Sequence, residues 1–242
     1  MAQIRWLAER VCEPEVMDDP LLDRQRHFAA LRGLARLNGL SASASILWSP
    51  IVQLARELKV NRLRVLDVAT GAGDLPLRLW RMARRANLQL DLHGVDLSPQ
   101  ALEFARQSAE AAGAAIEFSQ LDVLNSELPR GYDVVISSLF FHHLDNQRAA
   151  ALLRKMSEAT NQLVLVNDLR RSVGGLLLAH AAARVFTRSE VVHIDAPLSV
   201  KAALTMGEIR ELATGIGLED VTVKRRWPCR FLLAWRRPVI NE

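Results

Sequence analysis

The chain has 242 residues, half of them hydrophobic and 24% charged, a composition typical of soluble globular proteins that excludes a disordered chain. Its net charge is +4, with an acidic front and a basic tail, and no apolar run approaches the roughly 18 residues of a membrane-spanning helix. Charged residues stand where a signal peptide would have its apolar core, and the two cysteines lack the close spacing of a metal knuckle. We therefore expect a cytoplasmic protein with no disulfides and no metal ligands.

Residues 1–60 are predicted to form an N-terminal helical cover. Helical patterns run from Asp23 to Leu40 and from Ile46 to Leu58, with a break at Pro20. Because no strand precedes Arg64, these helices either enlarge the core or cover a binding site, and the pattern leaves both readings open.

A strand, a tight turn and a helix follow one another from Val65. The turn, residues 69–73, consists of small residues, and helical apolar spacing begins at Leu75. Glycine at positions 71 and 73 removes the Cβ atoms that would keep a ligand off the backbone, and a new helix points its unpaired N–H groups at that ligand. The turn therefore predicts a ligand-binding loop, although many such turns need glycine only for their own geometry.

Strands alternate with helices over the next hundred residues. Ser98 is expected to cap the helix after the second strand, with Pro99 at the first helical position. The second to fifth strands are predicted at 88–96, 115–120, 132–138 and 162–166. This alternation predicts an α/β fold with a mostly parallel sheet and helices on both faces.

A helical insert at about 172–204 interrupts the alternation. It contains an apolar helix, residues 173–186, that is too short to span a bilayer and could wall a pocket, join the core or form a homodimer face. A helix capped by Thr205 and two closing strands, at about 219–226 and 230–236, follow it. Their tight connection predicts an antiparallel pair at a sheet edge.

Four carboxylates lie at or just past the carboxyl ends of successive strands: Asp67, Asp96, Asp122 and Asp168. In an open α/β sheet, ligands bind at that edge. Asp96 is placed to accept hydrogen bonds from a ribose diol, or else only to support the helix that starts at Ser98. Asp122 either accepts from an exocyclic amine or merely forms a turn.

The order of these motifs resembles that of the class I S-adenosylmethionine-dependent methyltransferases. The resemblance rests on Asp67-Val68-Ala69-Thr70-Gly71-Ala72-Gly73, the acidic end of strand two, Leu121-Asp122-Val123 and the strand Tyr132-Asp133-Val134-Val135-Ile136-Ser137-Ser138. It covers roughly residues 60–170 and the closing hairpin, and is closest to the quinone-biosynthesis methyltransferases. It implies a Rossmann-like, seven-stranded, mostly parallel sheet with an antiparallel last strand, and it makes residues 61–242 the methyltransferase domain.

The resemblance also implies where the cofactor, S-adenosyl-L-methionine, binds. The implied set is Asp67, Ala69, Gly71 and Gly73 at the methionine moiety, Asp96 at the ribose with Leu97 beside it, Asp122 and Val123 at the adenine, and Ser138 near the sulfonium. Ala69 replaces the first glycine of the family's loop. A nicotinamide cofactor is disfavoured, because its G-x-G-x-x-G fingerprint is missing.

His142 and His143 follow strand four, where an acceptor would meet the sulfonium. An imidazole suits a base for a phenol or an enolised ring carbon, although these histidines could simply pack in the loop. We prefer His143 of the two. The other histidines, at 27, 93, 180 and 193, have weaker claims.

The acceptor is expected to be a small aromatic or lipid-like molecule, methylated on oxygen or carbon. Strand four ends in Ser137-Ser138-Leu139-Phe140 rather than the N-P-P-Y-like sequence of DNA adenine and protein glutamine methyltransferases, and neither cysteine lies near that loop, as RNA cytosine enzymes require. An RNA methyltransferase that uses the basic tail is the alternative. A cofactor-binding protein without catalysis is the third option.

Overall fold

The computed structural model describes residues 7, 9–13, 15–16, 23, 25, 29, 33, 43–187 and 189–238. The helix predicted from Asp23 to Leu40 falls mainly outside the described residues, as does His27. The second helical pattern of the front is confirmed and begins at Ser43 rather than Ile46. The division into an N-terminal cover and a second domain stays a prediction.

Helices and strands alternate through the described part of the chain. The strands are β1 Arg62–Val68, β2 Gln89–Asp96, β3 Ile116–Gln120, β4 Tyr132–Ser138, β5 Thr160–Leu169, β6 Thr222–Arg226 and β7 Arg230–Arg236. The helices with described bounds are α1 Ser43–Leu58, α2 Asp74–Arg85, α3 Pro99–Ala111, α4 Asn146–Ala159, α5 Val173–Phe186, α6 Glu190–Ala202 and α7 Met206–Gly215, and a 3-10 turn spans Phe141–His143.

The seven strands form one sheet in the order β3-β2-β1-β4-β5-β7-β6. Strands β1 to β5 run parallel to one another, whereas β7 runs antiparallel to both β5 and β6. The predicted fold class is thereby confirmed, including the antiparallel last strand. The carboxyl ends of β1, β2, β4 and β5 meet at one edge, which we call the rim.

Strand β5 is longer than predicted. It extends to Leu169, because β7 continues the hydrogen-bonded ladder past the apolar run and pairs Asn167 with Leu232 and Asp168 with Phe231. The insert also differs, since a second helix, α6, follows the predicted apolar one. The polar residues at the end of β5 and the break between α5 and α6 both depend on tertiary structure. Local composition does not reveal them.

Two apolar clusters, one on each face of the sheet, form the core. Consecutive strand residues point to opposite faces, so Leu66 packs towards α4 and α7, whereas Val65 packs towards α1 and α2. Leu152 of α4 and Leu79 of α2 are fully buried against these faces. Burial of a side chain of this size stabilises the folded state by about 1.5–3 kcal/mol. The packed centre of the sheet therefore holds the strand ends that form the rim in place.

No helix among the described residues is long and apolar enough to cross a membrane. The apolar helix of the insert, α5, has 14 residues.

A buried arginine connects the end of β5 to α7. Arg171 donates to both carboxylate oxygens of Glu208, at 3.0 and 2.5 Å, and to the carbonyl oxygens of Ala203 and Leu7. Glu208 also accepts from the backbone N–H of Thr205 in a capping box. Burial raises the pKa of Glu208, but the hydrogen bonds from Arg171 and Thr205 outweigh it, so that the pKa is lowered overall.

Replacing Glu208 with glutamine should lower the free energy of unfolding at neutral pH by about 1.5 kcal/mol or more, because Arg171 loses its ionic partner. A carboxyl group whose folded pKa is lowered stabilises the protein above its unfolded pKa, and that stability is lost as the pH falls through the folded value. The deficit of the variant should therefore shrink on acidification in urea titrations. Glu211→Gln, an exposed carboxylate of the same helix, should show no such deficit.

Candidate active site

The loop between β1 and α2 places three alternate residues in the left-handed region, with φ values of 57° for Ala69, 55° for Gly71 and 70° for Gly73. A Cβ at Gly71 would meet nothing within 4 Å, whereas a Cβ at Gly73 would lie 2.8 Å from the Cβ of Ala105 and 2.9 Å from Phe118. Gly71 therefore leaves its backbone open to a ligand. Gly73 is required by packing, and Ala69 keeps the loop geometry without being glycine.

Asp96 holds this loop from the end of β2. Its Oδ2 accepts from the backbone N–H of Gly71 at 2.7 Å, and its Oδ1 accepts from the N–H of Ser98 at 2.9 Å. The carboxylate supports both the loop and the start of α3, which Ser98 caps through Ala101. A carboxylate oxygen can accept more than one hydrogen bond, so Asp96 can also accept a hydrogen bond from a ligand hydroxyl. Leu97 beside it is 61% exposed.

Asp67 lies under the loop, only 2% exposed, and accepts from the hydroxyl of Thr70 at 2.6 Å. Burial raises its pKa to about 8, and the charges of Asp74 and Asp96 add to the rise, while the hydrogen bond from Thr70 opposes it. The free protein at neutral pH therefore holds a largely protonated Asp67.

Asp67→Asn should stabilise the free protein relative to the wild type as the pH rises. The folded state holds a proton that the unfolded state releases, so wild-type stability falls between a pH near 3.8 and a pH of about 8. Asparagine carries no such proton and still accepts from Thr70. Urea titrations should show that the free energy of unfolding of the variant, relative to that of the wild type, is larger at about pH 8 than at about pH 5. If this difference in free energy were the same at both pH values, the raised pKa of Asp67 would be refuted. Asp91→Asn, an ion-paired and more exposed aspartate of β2, is the control.

Asp122 forms a turn after β3. Its Oδ1 accepts from the backbone N–H groups of Leu124 and Asn125, and its Oδ2 accepts from the side-chain amide of Asn125 at 2.8 Å. These hydrogen bonds from Asn125 and Leu124 lower the pKa of Asp122. The turn-forming role is thus present, and a contact with adenine stays a prediction. Val123 is buried.

Ser138 ends β4 beside Asn167 of β5. The amide nitrogen of Asn167 donates to the hydroxyl of Ser138 at 2.9 Å. The Oδ1 atom of Asn167 is buried and has no hydrogen-bond partner among the described residues. A buried acceptor without a partner at the rim fits a site that a polar ligand completes.

The 3-10 turn after β4 carries both predicted histidines. His142 is 4% exposed, and its Nδ1 lies 2.7 Å from Oδ1 of Asp168. Burial raises the pKa of Asp168, but the charge and hydrogen bond of His142 outweigh it, so that the pKa is lowered overall. An ionised Asp168 therefore accepts from Nδ1 and directs Nε2 away from itself. The His143 ring lies 4.3 Å from that of His142 and is more exposed.

The N-terminal segment completes this cluster. The Nε2 atoms of His142 and His143 lie 3.8 and 3.9 Å from the two carboxylate oxygens of Glu15, which also accepts from the hydroxyl of Ser199 in α6. Arg10 donates to the carbonyl oxygens of Phe141 and His142. We name Glu15, His142, His143 and Asp168 the acidic-histidine cluster.

Sequence reasoning missed the roles of Glu15 and Arg10. Both belong to the charged front of the chain, far from any strand, and no local motif marks them. Asp168 was recognised as a carboxylate of the rim but not as the partner of His142, since that pairing depends on the length of β5 and the turn after β4.

The remaining described histidines have hydrogen-bond partners outside the acidic-histidine cluster. His93 lies between the hydroxyls of Tyr132 and Ser119, at 2.6 and 2.7 Å, and burial lowers its pKa. His180 and His193 contact backbone carbonyls of their own segment.

Several arginines of the basic tail make contacts within the chain, so they are less available to bind phosphates than the sequence indicates. Arg230 is 4% exposed beside Ser43, and burial lowers its pKa to about 10. Arg236 pairs with Glu57, and Arg237 donates to the carbonyl oxygens of Ser157 and Thr160.

The glycine loop and the acidic-histidine cluster are neighbours by sheet register. β1 and β4 are adjacent and parallel, with Val68 opposite Ser137, so residues 69–73 and 139–143 leave the sheet side by side. Asp168 lies on the next strand, one residue past the pair formed by Ser138 and Asn167.

Comparison with known proteins shows that this chain is similar to methyltransferases in both sequence and fold. A family profile described as a methyltransferase domain matches residues 65–162. The demethylmenaquinone methyltransferase of Thermus thermophilus is 34% identical over 130 residues, which are 52% of this chain and 56% of that protein, so the chain matches only about half the length of this relative. An uncharacterized methyltransferase of Mycobacterium tuberculosis is 30% identical over 182 residues, covering 72% of this chain and 87% of that one.

Among solved structures, the plantazolicin methyltransferase BpumL, in complex with a triazolic desmethyl analogue and S-adenosylhomocysteine, has the same fold. The TM-score is 0.58 at 18% sequence identity, and the match covers 91% of this chain and 87% of that one.

Proposed function

Because the chain belongs to the class I S-adenosylmethionine-dependent methyltransferases, we propose that it transfers a methyl group to an oxygen or carbon atom of a small aromatic or lipid-like acceptor. The observation that carries the proposal is the juxtaposition at the rim of an open glycine loop and a pair of histidines, of which His142 is buried and oriented by the carboxylate of Asp168. The loop serves the donor, and the histidines serve the acceptor.

The residues of the rim fit the donor, S-adenosyl-L-methionine. The space over Gly71 admits a ligand to the backbone, Asp96 offers carboxylate oxygens for ribose hydroxyls, and Asn167 offers a buried acceptor without a partner among the described residues. When bound, the donor supplies a methyl carbon already activated by its positive sulfur. The chain then has to align the acceptor, exclude water and handle the acceptor's proton.

The acidic-histidine cluster is suited to the acceptor. His142 is buried, its orientation is fixed by Asp168, and Arg10 holds the backbone of the same turn. These contacts restrict the imidazole to one orientation. A base held in this way, and largely shielded from water, is suited to remove a proton from a hydroxyl or an enolised carbon. His143 is more exposed than His142, with 23% of its side chain accessible to solvent.

Two observations favour a small acceptor over RNA. The Thermus thermophilus relative is named for demethylmenaquinone, and the plantazolicin methyltransferase was solved with a triazolic desmethyl analogue. In addition, Arg230, Arg236 and Arg237 of the basic tail are engaged in contacts within the chain, which leaves less positive charge for phosphates.

The test is methyl transfer from isotope-labelled S-adenosylmethionine to parallel panels of hydroxylated aromatics, quinols and bulk RNA. We expect label in a small molecule, lost in an Asp96→Ala control. Label in RNA, with binding that weakens steeply as salt rises, would favour the RNA alternative. Saturable binding of S-adenosylhomocysteine with no label in any panel would favour a binding protein without catalysis.

A further inference from the structure

We propose that Glu15, His142 and His143 form a binding site for a divalent transition-metal ion such as Zn²⁺. Each residue offers one ligand atom, and the three atoms lie within 4.8 Å of one another. Two imidazole nitrogens and one carboxylate are a ligand set that Zn²⁺ uses in enzymes.

The distances favour a shared ion over direct contacts. The separations of 3.8 and 3.9 Å between the histidine Nε2 atoms and Glu15 are too long for hydrogen bonds, which span about 2.7–3.2 Å. Ligand bonds of about 2.0–2.1 Å in a tetrahedral site separate ligand atoms by roughly 3.3 Å. The three ligand atoms lie within 4.8 Å of one another, so they would have to approach each other by at most about 1.5 Å to complete the site. Three protein ligands leave one position open, as in catalytic rather than structural zinc sites.

A second set of contacts orients the ligands. Asp168 accepts from Nδ1 of His142 at 2.7 Å, which leaves the Nε2 lone pair of His142 on the side of Glu15. The hydroxyl of Ser199 donates to Glu15, and Arg10 holds the carbonyl oxygen of His142. A carboxylate behind a metal-binding histidine is the usual arrangement in metal sites, and its purpose is to fix tautomer and ring orientation.

Such an ion specifies the acceptor, and this step rests on the proposed function. A metal ion favours an oxygen ligand and lowers the pKa of a bound hydroxyl, which selects a phenol-like acceptor over a carbon acceptor. The hydroxyl proton passes to solvent, an oxygen lone pair forms the new O–CH₃ bond, and the S–CH₃ bond breaks with its electron pair left on sulfur. The two histidines would then act through the ion rather than as bases.

The experiment uses the full chain without a histidine tag, stripped with a chelator and titrated calorimetrically with Zn²⁺. We expect one equivalent to bind, and Co²⁺ in its place should give the visible absorption of a low-coordinate site with nitrogen ligands. Glu15→Gln and His143→Asn, both at the periphery of the cluster, should abolish stoichiometric binding, and Asp168→Asn should weaken it about 10- to 100-fold. Glu13→Gln, an exposed glutamate two residues from Glu15, is the matched control and should bind like the wild type.

Equal Zn²⁺ affinity of the wild type and Glu15→Gln, or no stoichiometric binding by the wild type, would overturn the metal site. Methyl transfer to a small acceptor that persists after chelation would overturn the role of the ion in the reaction and leave the proposed function standing. Conversely, stoichiometric Zn²⁺ binding that Glu15→Gln removes, together with no transfer to any acceptor, would support the site and count against the proposed function.

Discussion

Asp96→Ala should weaken the binding of S-adenosylhomocysteine by about 10- to 100-fold, since hydrogen bonds to a charged group are worth about 1.5–3 kcal/mol. The loss has two sources: the ribose hydroxyls lose their acceptor, and the N–H groups of Gly71 and Ser98 lose the carboxylate that holds the loop. Isothermal titration calorimetry measures the affinity directly.

The matched control for this prediction is Asp91→Ala, which lies on the same strand at its other end and is paired with Arg62. It should bind S-adenosylhomocysteine like the wild type. Thermal unfolding of both variants separates loss of a contact from loss of fold. If Asp96→Ala bound with wild-type affinity, the ribose would have to lie elsewhere on the rim.

Replacing His142 with asparagine should lower kcat for methyl transfer by at least about 100-fold, because removal of the acceptor's proton, by the imidazole itself or through an ion that it binds, contributes about 10²–10⁴-fold. Binding of S-adenosylhomocysteine should not change, since the proposed contacts of the donor are made by the glycine loop, Asp96 and Asn167 and not by His142. His143→Asn is expected to act in the same direction and, being less buried, to disturb the fold less.

His180→Asn provides the comparison, since this histidine lies on α5 and its ring hydrogen-bonds to the carbonyl oxygen of Leu176 in the same helix. It should keep wild-type kcat. A kcat within experimental error of the wild type in both His142→Asn and His143→Asn would remove the acidic-histidine cluster from the mechanism.

The order of strands and helices could be predicted from the sequence because each predicted strand is a short apolar run between turn residues. Those runs are buried on both faces of a parallel sheet, so their pattern reflects their packing closely. Strand β5 was predicted too short, because Asn167 and Asp168 are polar and join the strand only through pairing with β7.

The geometry of the glycine loop could also be predicted, because its glycines are close together in sequence and their spacing is tied to local geometry. The acidic-histidine cluster could be predicted only in part. His142 and His143 are adjacent and follow a strand, but Glu15 reaches them from far along the chain, and only tertiary structure brings those atoms together. The sequence likewise could not show that Gly73 serves packing whereas Gly71 opens the backbone.

A crystal structure of the complex with S-adenosylhomocysteine tests the account most directly, because it locates both ends of the ligand at once. We predict the ribose hydroxyls within hydrogen-bonding distance of Asp96, the amino-acid end over Gly71, and the sulfur facing the acidic-histidine cluster. A ligand whose sulfur points away from His142 and His143, or an Asp96 that contacts only Gly71 and Ser98, would contradict it.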